Sequence, residues 1–214
     1  MNRTRVKICG LTRAADVAAA VAAGADALGF NCYPRSPRYV ALERLDELAR
    51  EVPAFATPVL LFVNAGADEI ARAVERVPHA LLQFHGDEDA AACARSGRPY
   101  LRALRMQADA DYAAAQVQYA DALALLADAP APGFGGSGLT FDWSRLPPPS
   151  ARTTPLVLAG GLTPDNVGAA IAAVRPYAVD VASGVEQAPG IKDAGKIAAF
   201  IAAVRAADDA IAAS

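Results

Sequence analysis

The chain has 214 residues, 54% hydrophobic, 20% charged and 7% aromatic, and its 20 Lys and Arg against 23 Asp and Glu give a formal net charge of −3. A mean hydropathy of +0.21 excludes a disordered chain, and the length favours one sizeable core, a single domain over 1–214. No basic run or stripe is present, so no nucleic-acid footprint is expected.

No segment reaches the roughly 18 uninterrupted apolar residues of a bilayer span, so no membrane partner is expected. The first residues lack the profile of a signal peptide. Three cysteines (Cys9, Cys32, Cys93) cannot close a disulfide framework, and with only two histidines they fit no zinc pattern. These features predict a metal-free protein of the reducing cytoplasm.

Short apolar runs alternate with segments of helical period. The strand candidates are Arg5–Cys9, Ala27–Asn31, Pro58–Val63, Ala80–Phe84, Tyr100–Leu104, Ala122–Leu126, Leu156–Ala159 and Ala178–Ala182, with helices expected in every interval and after the last strand. The first helix, Arg13–Ala23, has Asp16 in its first turn and Gly24 as its stop. Thr163 and Pro164 are the expected N-cap and first helical position of a later one. Eight such units predict an α/β fold, a single (β/α)8 TIM barrel, over a doubly wound open sheet. The glycine pairs fall after the seventh and eighth strands, where barrels place a phosphate, and not after the first. Two loops interrupt the rhythm: the cationic Pro34–Arg38, and the Gly/Pro-rich Ala129–Gly138, a candidate closing lid.

Four constellations carry chemistry. Alternation on the first strand sets Lys7 and Cys9 on one face; if Val6 and Ile8 meet the helices, Cys9 lies inside at the catalytic rim. There a thiol can serve as nucleophile or base, though a small buried cysteine is an equally good reading. Asp142, between Phe141 and Trp143, sits where apolar neighbours would raise a carboxyl pKa, or it simply caps a helix beginning near Ser144. Gly160-Gly161 and Ser183-Gly184 can aim backbone N–H groups at an anion. Arg35 and Arg38 offer a fork for a carboxylate or phosphate, and Gln83 shares a strand face with His85. Cys32 and Cys93 are read as packing residues.

Together the segments KICGLT (7–12), GFNCYPRSPRYV (29–40), QFHGDE (83–88), GGSGLTFDW (135–143), LAGGLTPDNV (158–167) and VDVASGVEQAPGIKD (179–193) resemble the phosphoribosylanthranilate isomerases. The resemblance implies a cofactor-free Amadori rearrangement of N-(5-phosphoribosyl)anthranilate to 1-(2-carboxyphenylamino)-1-deoxyribulose 5-phosphate, a step of tryptophan biosynthesis. It implies Cys9 as general base, Asp142 as general acid, Arg38 on the anthranilate carboxylate, the two glycine loops as phosphate cradle, and Asp180 near the sugar. Lys7, Gln83 and His85 are expected to line the same substrate site. The partner is then a small phosphorylated molecule, and the chain a monomer or homodimer. Ala182 stands where the family often has Ser, and Leu139 where it often has Lys.

Two other readings remain. A sister barrel acting on a phosphoribosyl amine of histidine biosynthesis would need a second phosphate loop after an early strand and Asp in place of Cys9. A non-catalytic phosphate-ligand sensor would bind the substrate without consuming it.

Overall fold

The computed structural model describes residues 3–130 and 140–213. Eight parallel strands close into a barrel in sequence order: β1 (Arg5–Cys9), β2 (Ala27–Asn31), β3 (Thr57–Phe62), β4 (Leu81–Phe84), β5 (Tyr100–Arg105), β6 (Ala124–Asp128), β7 (Leu156–Leu158) and β8 (Ala178–Val181), which pairs back onto β1. The helices α1 (Ala14–Ala23), α2 (Leu42–Arg50), α3 (Ala67–Arg76), α4 (Ala90–Ala94), α5 (Tyr112–Gln118) and α6 (Val167–Val174) occupy crossovers, and α7 (Ala194–Ala212) follows the last strand.

Strand alternation divides the core in two. Val6, Ile8, Leu28, Phe30, Leu60, Phe62, Leu82 and Phe84 point outward and pack with helix residues such as Val17, Leu45, Ile171 and Phe200. A smaller set points inward and plugs the barrel: Val59, Leu101, Ala103, Ala124, Leu126, Val157, Ala159 and Ala178. Cys32 and Cys93 are buried in the outer layer, as packing residues should be. Burial pushes the Cys32 thiol up to about 12 and the Cys93 thiol to about 11.

Local chemistry sets several ends. Gly24, with φ of 96°, closes α1 and returns its N–H to the carbonyls of Ala20 and Val21. Asp89, Asp111 and Asp193 each accept a backbone N–H as N-caps of α4, α5 and α7.

The architecture departs from expectation in three places. Among the described residues, no α-helix lies between β6 and β7; two 3-10 turns, Trp143–Arg145 and Pro149–Ala151, take that place. Three prolines at 147–149 account for this, because they remove amide donors that a helix needs. Thr163 does not cap α6: its own N–H bonds Oδ1 of Asn166, and the helix begins after that turn. After β8 the chain forms a short antiparallel hairpin, β9 (Glu186–Ala188) and β10 (Ile191–Lys192), which the strand pattern did not reveal.

Candidate active site

The polar residues of the barrel interior lie toward the C-terminal ends of the strands. Lys7 and Asp180 are register partners across β1 and β8. Lys7 Nζ donates to Asp180 Oδ1 at 2.8 Å, with only 4% and 8% of the two side chains exposed. Burial works against the Lys7 cation, but Asp180 and then Cys9 outweigh it and hold its pKa above the ordinary lysine range. The inward lysine therefore has the partner it requires.

Cys9 lies two residues nearer the mouth, against Leu61, Val63, Tyr33 and Ala182. Its register partner is Gly29. A Cβ at Gly29 would stand 2.9 Å from Cys9 Sγ and 3.1 Å from Lys7 Nζ, so the glycine leaves room for both groups. Burial pushes the Cys9 thiol up; Lys7 pulls it down, Asp180 adds to the rise, and Lys192 opposes it. The thiol thus rests protonated at neutral pH, one proton transfer away from a thiolate flanked by cations.

Of the two readings of Asp142, the structure shows the cap and not the raised carboxyl. Its Oδ1 accepts the backbone N–H of Ser144 at 3.0 Å and the Ser144 hydroxyl at 2.7 Å, capping the 3-10 turn. Phe141 and Trp143 pack into the layer between sheet and helices, which leaves the carboxylate between them in solvent. The Ser144 hydrogen bonds, with Arg145 nearby, hold its pKa below the usual carboxylate value. An aromatic sandwich would raise it. Exposure cancels that effect.

A different carboxyl occupies the interior. β6 runs to Asp128, two residues beyond the predicted end, and Ala124, Leu126 and Asp128 alternate onto the inner face. Asp128 Oδ2 lies 3.1 Å from His85 Nε2, and His85 Nδ1 lies 3.0 Å from Gln83 Nε2. Asp128 Oδ1 accepts the Ala129 N–H at 2.9 Å. Gln83, His85 and Asp128 are all buried. With the Gln83 amide turned so that its otherwise unpartnered oxygen accepts from Nδ1–H, Nε2 is the acceptor for a proton held by Asp128, the form in which that carboxyl can act as an acid. β6 is three strands round from β1, so thiol and carboxyl flank the mouth from different sides.

The glycine loops meet beside them. Gly160 and Gly161 take φ of 82° and 60°, which glycine alone adopts readily. A Cβ on Gly160 would fall 2.4 Å from the Ala129 nitrogen, and one on Gly184 1.9 Å from the Leu162 carbonyl oxygen. The β7 and β8 loops can approach this closely only without side chains. Ser183–Val185 form a 3-10 turn at the end of β8, whose leading N–H groups have no intrahelical acceptor. Arg38 is the strand-2 loop arginine at this rim, its stem lying over Gly10; it is already bound side-on by Glu186 at 2.8 Å through both Nε and Nη2. Among the described residues, no group of three or more His, Cys, Asp or Glu side chains is placed to hold a metal, and no helix is long and apolar enough to cross a membrane. Leu139 and 131–138 of the candidate lid lie outside the described residues.

Comparison with known proteins follows the same outline. The family model of N-(5'-phosphoribosyl)anthranilate isomerase matches residues 6–203. The chain belongs to this family. The isomerase of Leptothrix cholodnii is 56% identical over 206 residues, 96% of this chain and 93% of that protein. The crystal structure of phosphoribosyl anthranilate isomerase from Thermotoga maritima superposes with a TM-score of 0.87 at 40% identity, over 95% of this chain and 99% of that one. A third similar structure, with a TM-score of 0.80 and 35% identity over 95% and 99% of the two chains, is the isomerase in complex with reduced 1-(o-carboxyphenylamino)-1-deoxyribulose 5-phosphate.

Three charged residues of this mouth, Asp128, Glu186 and Lys192, were not among the expected site residues. The first was recoverable: the predicted strand Ala122–Leu126 has the same parity as Asp128, and extending it by two residues points that carboxyl inward. The other two lie on a hairpin that the strand pattern did not reveal, and Glu186 meets Arg38 across 148 positions, which leaves no local trace.

Proposed function

We propose that this chain isomerises N-(5-phosphoribosyl)anthranilate to 1-(2-carboxyphenylamino)-1-deoxyribulose 5-phosphate, with Cys9 as general base and Asp128, not Asp142, as general acid. The carrying observation is that Cys9 and Asp128 are the inward-facing acid–base groups at the C-terminal ends of β1 and β6. Asp142 spends its carboxylate on capping a surface turn.

In this reading the phosphate sits against Gly160, Gly161, Ser183 and Gly184, whose uncluttered backbone offers N–H donors. The carboxylate end lies at Arg38, so that the ribose spans the mouth. Asp128 delivers a proton to the departing ring oxygen while the anilino nitrogen forms the Schiff base at C1′. Cys9 then takes the C2′ proton, and the resulting enolamine relaxes to the ketone. Holding both ends of the substrate converts two proton transfers into steps between prepositioned groups. Lys7 stabilises the thiolate as it forms, and Asp180 keeps that lysine charged and in place. His85 and Gln83 fix the direction of the Asp128 carboxyl.

Each step is a proton transfer, so the reaction calls for no redox group. Three unpaired, buried cysteines suit a reducing compartment, the cytoplasm. The described barrel supplies every group named, which supports one catalytic domain.

The test generates the labile substrate in situ and follows the loss of anthranilate fluorescence. Cys9→Ala and Asp128→Asn should each abolish turnover while phosphate-dependent binding persists, and Asp142→Asn should remain active. Full activity in Asp128→Asn with loss in Asp142→Asn would return the acid role to Asp142.

A further inference from the structure

The hairpin that follows β8 makes contacts that the mechanism above does not use. Glu186 opens it, and its carboxylate is 6% exposed. Oε1 accepts from Arg38 Nε at 2.8 Å, Lys192 Nζ at 2.8 Å and the Gly190 N–H at 3.2 Å, while Oε2 accepts from Arg38 Nη2 at 2.8 Å. Lys192, on the returning strand, is fully buried at its side chain and also donates to the Ala182 carbonyl at 2.9 Å. The hairpin is tied to the barrel at further points: Thr12 donates to the Gly190 carbonyl, and Asp16 accepts the Lys192 N–H.

A guanidinium has two forks. Glu186 occupies the side-on fork of Arg38, made by Nε and Nη2. The end-on edge, Nη1 with the second N–H of Nη2, has no acceptor among the described residues. That edge is the one suited to a second carboxylate. Two cations and one anion share the cluster, which leaves one positive charge for an incoming anion to neutralise. Glu186 is itself held by Lys192 and Gly190, so it has reason to stay when the substrate arrives.

We propose that Glu186 is a positioning residue for substrate specificity: clamped by Lys192, it holds Arg38 side-on and so aims the guanidinium's free edge at the ring carboxylate of the substrate. The inference rests on the reading of Arg38 as the carboxylate's partner. It makes the post-β8 hairpin the element through which the enzyme tells a carboxylated aryl amine from a plain one.

The experiment compares two substrates made in situ by condensing ribose 5-phosphate with anthranilate or with aniline, and takes the ratio of their kcat/KM values. The wild type should favour the carboxylated substrate. Arg38→Ala should erase that preference. Glu186→Gln should reduce it at least tenfold, mainly through KM for the carboxylated substrate. Because Glu186→Gln leaves two buried cations together, Glu186→Gln/Lys192→Met is measured beside it, with circular dichroism confirming the fold; its ratio should fall likewise. A wild-type ratio retained in the folded double variant, with the preference lost in Arg38→Ala, overturns the positioning role alone. No preference in the wild type overturns the Arg38 reading and this inference with it.

Discussion

The two mouths of the barrel are built from the same eight strands and share almost nothing else. At the C-terminal mouth the interior charged groups among the described residues are paired: Lys7 with Asp180, Asp128 with His85, and Arg38 and Lys192 with Glu186. The N-terminal mouth mixes apolar side chains, Phe55 fully exposed and Leu123 and Tyr177 about half exposed, with Arg5 and Asp26 at its rim. Between them lies the plug of Val59, Leu101, Leu126 and Val157. The plug and outer layer are held by hydrophobic burial, which is nondirectional and tolerates exchange of similar volumes. The polar mouth depends on paired groups at fixed distances, where removing one partner strands the other. Stability and chemistry are thereby assigned to different parts of one strand set, and substitutions at the two ends should fail in different ways.

The sharpest contrast comes from the acid–base groups. Cys9→Ala and Asp128→Asn should each lower kcat by about 10³-fold or more, the upper range for loss of a positioned proton donor or acceptor. Asp142→Asn keeps a capping oxygen on a surface turn and should lower it by less than about threefold. Single-turnover measurements with in situ substrate decide between them. A large loss in Asp142→Asn would mean that the capping turn belongs to the functional mouth.

That pair of outcomes also marks how far the sequence could be read. Strands β1 and β2 were legible to the residue, because Arg5–Cys9 and Ala27–Asn31 are short apolar runs bounded by turn residues. The shared face of Lys7 and Cys9 followed from alternation, its inward direction from the condition that Val6 and Ile8 meet the helices, which they do, and the late glycine loops from their position after β7 and β8. Asp128 lies two residues beyond the predicted strand Ala122–Leu126, so no face was assigned to it. The acid role of Asp142 came from the resemblance, not from its aromatic neighbours; whether such neighbours bury a carboxyl depends on which side of the turn faces solvent. Glu186 and Lys192 had no readable signal at all, since their meaning arises only when the hairpin folds back on the β2 loop.

The next effect should appear at the glycine loops. Gly184→Ala places a Cβ against the Leu162 carbonyl and must displace one loop from the other. A shift that misaims the backbone donors should raise KM about tenfold, equivalent to about 1.4 kcal/mol of binding, with a smaller change in kcat. Inorganic phosphate should inhibit the variant correspondingly less well. Unchanged phosphate inhibition would remove these loops from the cradle.

Acid should undo the polar mouth before the apolar plug. Burial raises the Glu186 pKa, but the hydrogen bonds and charges of Arg38 and Lys192 outweigh it and hold it below the ordinary value of 4.5. A carboxyl depressed on folding adds stability that is fully present above its unfolded pKa and is lost as pH falls through its folded one. The urea midpoint should therefore begin to drop below about pH 4.5 and continue downward. Glu186→Gln/Lys192→Met should flatten that part of the decline; an identical acid profile would show that the cluster contributes nothing to it.

The smallest effect is expected at the opposite mouth. Phe55 lies between α2 and β3 with its ring in solvent, and it lines a recess of about 350 Å³ together with Leu81, Leu101, Val157 and Tyr177. Having no buried contacts to lose, Phe55→Ser should change unfolding free energy by no more than about 0.5 kcal/mol. It should leave kcat/KM within about twofold, because the exposed Phe55 ring supports none of the groups at the other mouth, although Lys7 lines the inner end of the same recess. A kcat loss approaching that of Asp128→Asn would mean that the plug transmits strain from one mouth to the other. The division of labour along the strands would then have to be abandoned.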